Sequence, residues 1–173
     1  MNSAEPPAPA IQRYWKTSSD DLSGLWFDAY GWIACYFAQI EGLSYALIER
    51  LGTTEEKSRF AKLPFQARME KAKVLVCGHM SARGTVELSA EWAVYMEEAR
   101  LTAPMRNRIL HNPLTVSLAL GDPLHDEEAG IVLTHEAGKP ILKLGAVQLF
   151  SKTMHELNVR MQDLLARSGL AQP

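Results

Sequence analysis

A chain of 173 residues, 47% hydrophobic and 22% charged, suits one folded domain with a sizeable core and excludes a disordered composition. A formal net charge of -2 excludes a global basic field, so any contact with nucleic acid must be local. The two cysteines, Cys35 and Cys77, argue against a disulfide framework; both lie in apolar helical segments and are expected to be buried free thiols in a reducing compartment.

Residues 1–17, with Pro6, Pro7 and Pro9, read as a flexible tail ahead of a helical domain over residues 18–170. The first ten residues lack the basic start and apolar run of a signal peptide. Asp28, Glu41 and Glu49 interrupt the most apolar region before it reaches the roughly 18 residues of a membrane span. A cytoplasmic protein with no membrane partner is expected.

Ser18, Ser19 and Asp20 or Asp21 are N-cap candidates for a long first helix, whose stripe runs through Leu22, Leu25, Trp26, Ala29, Ile33, Phe37, Ile40, Leu43, Leu47 and Leu51 to a stop at Gly52. Thr53 or Thr54 with Glu55 and Glu56 starts a short second helix. After Pro64 a third puts Phe65, Met69, Ala72, Val76 and Met80 on one side and closes at Gly84. A fourth, from about Val86, carries Leu88, Trp92, Met96 and Ala99 on one face and Glu87, Glu91, Glu97 and Glu98 elsewhere.

Pro104 either kinks that helix or sits in the first turn of a fresh short one capped by Thr102; both predict a helix over 105–110. His111, Asn112 and Pro113 then form a stop, because the residue before a proline is pushed out of the helical region. Short apolar runs follow at 114–120, 131–135 and 140–144, the last two predicting a small hairpin. The final helix, about 145–167, repeats Val147, Phe150, Met154, Leu157, Met161 and Leu164 as a seam for a bundle or a dimer. The fold class is therefore mainly α, a bundle of four to five helices with a β-hairpin before the last.

The segment Met105-Arg106-Asn107-Arg108-Ile109-Leu110-His111-Asn112-Pro113 carries the chemistry. An arginine followed by a polar residue, and then by a histidine after four intervening positions near a helix end, resembles the signature of the HEPN family. The run Tyr36-Phe37-Ala38-Gln39-Ile40-Glu41-Gly42-Leu43 in an aromatic-rich first helix resembles the same family, so the likeness covers roughly residues 20–168. It implies a HEPN-like bundle and a metal-independent endoribonuclease without cofactor, acting on RNA as a homodimer whose protomers each contribute Arg106 and His111. It also implies a toxin or anti-phage defence effector, with an antitoxin or other protein as partner. Pro113 stands where some members carry a nucleotidylated tyrosine, so regulation by that route is not implied.

Imidazole moves protons near neutral pH, which suits His111 to acid–base work. A guanidinium fork suits Arg106 to hold phosphate oxygens. Asn107 could orient either group, and Arg108, otherwise a solvated surface charge, could reach phosphate if it faces the cleft. Glu41 is a candidate to pair with Arg106 and set its direction. Against this stands a plain alternative, that Arg106 serves helix-end carbonyls or a carboxylate while His111 and Asn112 end the helix.

A non-catalytic module of the same fold, binding RNA, a nucleotide or a protein, is the second functional reading. The acidic run His125-Asp126-Glu127-Glu128 reads as a connector, and Cys77 and His79, two apart on a helix, diverge too far to share a metal. No metal site is expected. Gly-rich phosphate loops, Gly-x-Ser-x-Gly elbows and His-Glu-x-x-His segments are missing from the sequence.

Overall fold

The computed structural model of the protein describes residues 20–111, 114–116, 130–132 and 142–171. The expected tail, the caps Ser18 and Ser19, the stop at Asn112 and Pro113, and the connector His125–Glu128 lie outside these residues.

The chain is mainly helical. Helix α1, Asp20–Leu51, has 32 residues and so spans about 48 Å. It buries Trp26, Ala29, Ile33, Phe37, Ile40, Leu43 and Leu47 of the stripe expected from its spacing, whereas Leu25, expected on the same stripe, is 45% exposed. Gly52 follows its last turn, with its N–H donating to Ile48 O at 2.9 Å, and a side chain is disfavoured there because an added Cβ would lie 2.7 Å from that oxygen. Helix α2, Thr54–Phe60, begins on a capping box: the Thr53 hydroxyl accepts from the Glu56 backbone N–H, and the Glu56 carboxylate accepts from the Thr53 N–H at 2.9 Å.

Helix α3, Phe65–Ala82, buries Met69, Ala72, Val76 and Met80, as its spacing predicts. Gly84, at φ 75, turns the chain into α4, Val86–Leu101. Thr102 stays in the right-handed helical region, and α5, Ala103–Leu110, follows with Pro104 in its first turn, where a missing N–H costs nothing. Arg106 N–H still donates to Thr102 O at 3.0 Å, so the proline leaves the motif helix regular. Helix α6, Leu144–Ser168, closes at Gly169 in the left-handed region, φ 64.

The four long helices close a ring in which α1 packs on α3 and α6, and α4 packs on the same two. Their shared core includes Phe37, Ile40, Leu47, Met69, Val76, Trp92, Met96, Met154 and Met161. Strands β1, Leu114–Val116, β2, Gly130–Val132, and β3, Leu142–Lys143, form an antiparallel sheet with β2 central. The expected hairpin partners pair through Ile131 with Lys143 and Val132 with Leu142, and β1 adds a third strand. A second core cluster joins the N-terminal half of α1 (Trp26, Ala29, Ile33) to Ile109 of α5 and to Leu142, Leu144 and Val147. Phe150 packs against both clusters.

Cys35 corrects an expectation: it is exposed, and Cys77 is half-buried. Cys35 stands two residues from both Ile33 and Phe37, about 200° around the helix from each, so the stripe that buries them turns it outward. Among the described residues, no helix is long and apolar enough to cross a membrane.

Candidate functional site

Helix α5 is eight residues long and is held by one buried side chain at each end, Ala103 and Ile109. Those anchors set the rotation of the segment. Arg106 is half-buried, and Asn107 and His111 are exposed.

The expected pair meets. Arg106 Nη1 lies 3.2 Å from His111 Nε2 and donates to Asn107 Oδ1 at 2.9 Å. A guanidinium has donors and no acceptor, so this contact is a hydrogen bond in the tautomer that carries the ring proton on Nδ1. The His111 backbone N–H donates to Asn107 O at 3.0 Å and ends the helix, so the same short turn positions the imidazole and the amide around one guanidinium.

From outside α5, the Phe37 ring supports Arg106: the guanidinium carbon sits 4.3 Å from the ring centroid. Arg106 Nε is buried without a hydrogen-bond partner, and among the described residues no carboxylate lies within ion-pair distance of this arginine. A buried donor with no acceptor is uncommon and costs about 1–3 kcal/mol. Nearby in the second cluster, Trp26 Nε1 and Tyr30 OH are also buried without partners, and burial pushes the Tyr30 phenol above its ordinary range.

Glu41 has a different partner from the one expected. It receives Arg68 Nη2 at 2.5 Å, while Arg68 Nε donates to Ser44 Oγ at 2.9 Å and Nη1 to Leu63 O at 2.8 Å. Arg68 is 3% exposed and stacks on Tyr45 at 3.8 Å, so α3 supplies a buried cation with a partner on each of its three nitrogens, and Glu41 pairs with it and not with Arg106. Arg108 is likewise not the solvated surface charge expected: it is half-buried, with Nε and Nη2 withdrawn from solvent. Two residues on from Arg106, it leaves the same helix about 200° further round.

Reading the sequence missed Phe37 as part of the site, because its spacing marks it as core and it is indeed buried. Among the described residues, no three His, Cys, Asp or Glu side chains are grouped so as to hold a metal ion. No protein-family model, curated protein or solved structure matches the chain.

Proposed function

We propose that the protein is a metal-independent endoribonuclease of HEPN type that works as a homodimer, with Arg106 and His111 of each protomer meeting across a shared groove. One observation carries this reading: an arginine with no carboxylate at ion-pair distance among the described residues is set 3.2 Å from an imidazole five residues along the same segment.

RNA supplies its own nucleophile. The ribose 2'-oxygen attacks the adjacent phosphorus as its proton passes to one His111 Nε2, and the P–O5' bond breaks as the 5'-oxygen receives a proton from a protonated imidazole, that of the partner's pair. The products are a 2',3'-cyclic phosphate and a 5'-hydroxyl, and the proton count balances over the two histidines. Arg106 meets the charge that builds on the phosphorane oxygens. When a phosphate takes over the Arg106 N–H donors, Nε2 is released for proton transfer. Asn107 keeps Nη1 in place throughout.

Incubating the purified protein with single-stranded RNA in chelator tests the proposal. Cleavage to cyclic-phosphate ends is expected, with a loss of about 10²–10⁴-fold in His111→Ala. Full activity in that variant, or a monomer at assay concentration that still cleaves, would remove the reading. A toxin or defence role, with an antitoxin as partner, belongs to the same proposal and predicts growth arrest on expression that His111→Ala relieves.

The second reading, a non-catalytic module that binds RNA, a nucleotide or a protein, is favoured by the 3.2 Å approach of Arg106 Nη1 to His111 Nε2, which in the Nδ1-protonated tautomer engages the lone pair that a base would need. Binding that depends on Arg106 and yields no cleaved product selects it.

A further inference from the structure

The Arg106 guanidinium is restrained from two directions. Within α5, Nη1 is tied to Asn107 Oδ1 and set against His111 Nε2. Beneath it lies the face of Phe37, a ring 2% exposed that also meets the ring of Phe65 at the start of α3, with centroids 4.6 Å apart and planes tilted by 47°. Phe65 therefore limits how far the Phe37 ring can tip, and Phe37 limits how far the guanidinium can turn. A flat cation over a desolvated aromatic face is attracted by the ring quadrupole, and that attraction falls as the ring's electron density falls.

We propose that Phe37 is a positioning residue for Arg106: the α1 ring holds the guanidinium flat, so that before RNA binds Nη1 rests beside His111, and the remaining edge is kept ready for a phosphate oxygen whose arrival frees Nε2. The proposal rests on the reading of Arg106 as the group that receives phosphate. It assigns the HEPN-like segment of α1 a role at the site through an aromatic face, where a carboxylate from Glu41 was expected.

Preorganisation is the physical content. An arginine on a solvated helix end samples many rotamers and must be ordered when the anion arrives, whereas one clamped between a ring and two acceptors has already lost that freedom. Leucine at position 37 keeps apolar bulk and removes the face. Fluorinated phenylalanines keep nearly the same shape and drain the face stepwise, which separates the electrostatic part from packing.

The experiment uses the full chain with Phe37→Leu and with mono-, di- and trifluorinated phenylalanine at position 37. Two readouts are taken: the rotation of the Arg106 guanidinium about its Cζ–Nε bond, by nitrogen-15 NMR, and kcat on single-stranded RNA. Slow rotation is expected in the wild type, graded acceleration across the fluorine series, and a fall in kcat of about tenfold by the trifluorinated ring with a smaller change in KM.

Rotation that does not change across the series overturns the proposal. So does a kcat loss that follows the thermal midpoint and ignores fluorination. Should Phe37→Leu fail to fold, the fluorinated series still decides. Should the wild type cleave no RNA, the nuclease reading fails by itself, and the rotation series alone decides whether Phe37 positions Arg106.

Discussion

Replacing Arg68 by methionine tests how the bundle holds the first helix against the third. Arg68 is 3% exposed and makes three hydrogen bonds, to Ser44 Oγ, Leu63 O and Glu41 Oε1. The bond to Glu41 is charge-assisted and contributes about 1.5 kcal/mol, the low end of its range because the Glu41 side chain is 34% exposed and can rehydrate. The two bonds to neutral acceptors contribute about 1 kcal/mol each, and the stack on Tyr45 about 1 kcal/mol more.

Buried methionine offsets about 1.5 kcal/mol of this through its apolar surface. A net destabilisation of about 3 kcal/mol follows, which for a chain of this length lowers the thermal midpoint by about 6–12 °C. Glu41→Gln keeps an acceptor oxygen and should cost about 1 kcal/mol. Urea unfolding of both single variants and the double variant gives the coupling, expected at about 1 kcal/mol. If Arg68→Met lies within about 0.5 kcal/mol of the wild type, or the two changes are additive, the network does not work as described.

Trp92 Nε1 donates to Ser168 Oγ at 2.7 Å with both residues buried, so Trp92→Phe strands a hydroxyl and should cost about 2–3 kcal/mol in chemical denaturation. Gly169 caps α6 at φ 64, and Gly169→Ala should lower stability by about 1 kcal/mol, read as a small drop in midpoint with no change in activity. Hydrogen bonds from Arg167, from Arg100 and from the Thr53 backbone N–H hold the carboxyls of Glu91, Glu97 and Glu56 respectively below the ordinary 4.5. In that window the unfolded chain binds more protons than the native one. Stability is therefore fully present above about 4.5 and falls as pH drops through the depressed values, a loss that urea midpoints should register and that Glu91→Gln should make shallower.

Much of the bundle was legible because burial follows spacing. The stripes of α1, α3 and α6 are local patterns, and Thr53 with Glu56 is a local cap. Cys35 was legible too, had its angle been read along with its apolar neighbours. What spacing does not carry is pairing between distant elements. Arg68 lies 27 residues from Glu41, and nothing in α3 marks that one of its cations is buried and the rest are not. The apposition of Arg106 and His111 was expected from one turn of helix, whereas the ring beneath Arg106 comes from α1 and is indistinguishable in sequence from the other core aromatics.

The two networks on α1 are neighbours. Phe37 and Glu41 are four residues apart, on the same face of one helix, so the carboxylate lies a single turn from the ring that carries Arg106. The prediction is that Glu41, left without Arg68, turns to Arg106, where an ion pair would neutralise the group proposed to meet phosphate. By occupying Glu41 from α3, Arg68 leaves the charge of Arg106 uncompensated by any described carboxylate. Arg68→Met should therefore weaken RNA binding or cleavage by about tenfold, beyond what its stability loss explains at a temperature where the variant is folded. Adding Glu41→Gln should restore most of that function without restoring the midpoint. Function and midpoint recovering together, or neither recovering, would show that Glu41 does not compete for Arg106, and that the Arg68 network serves packing alone.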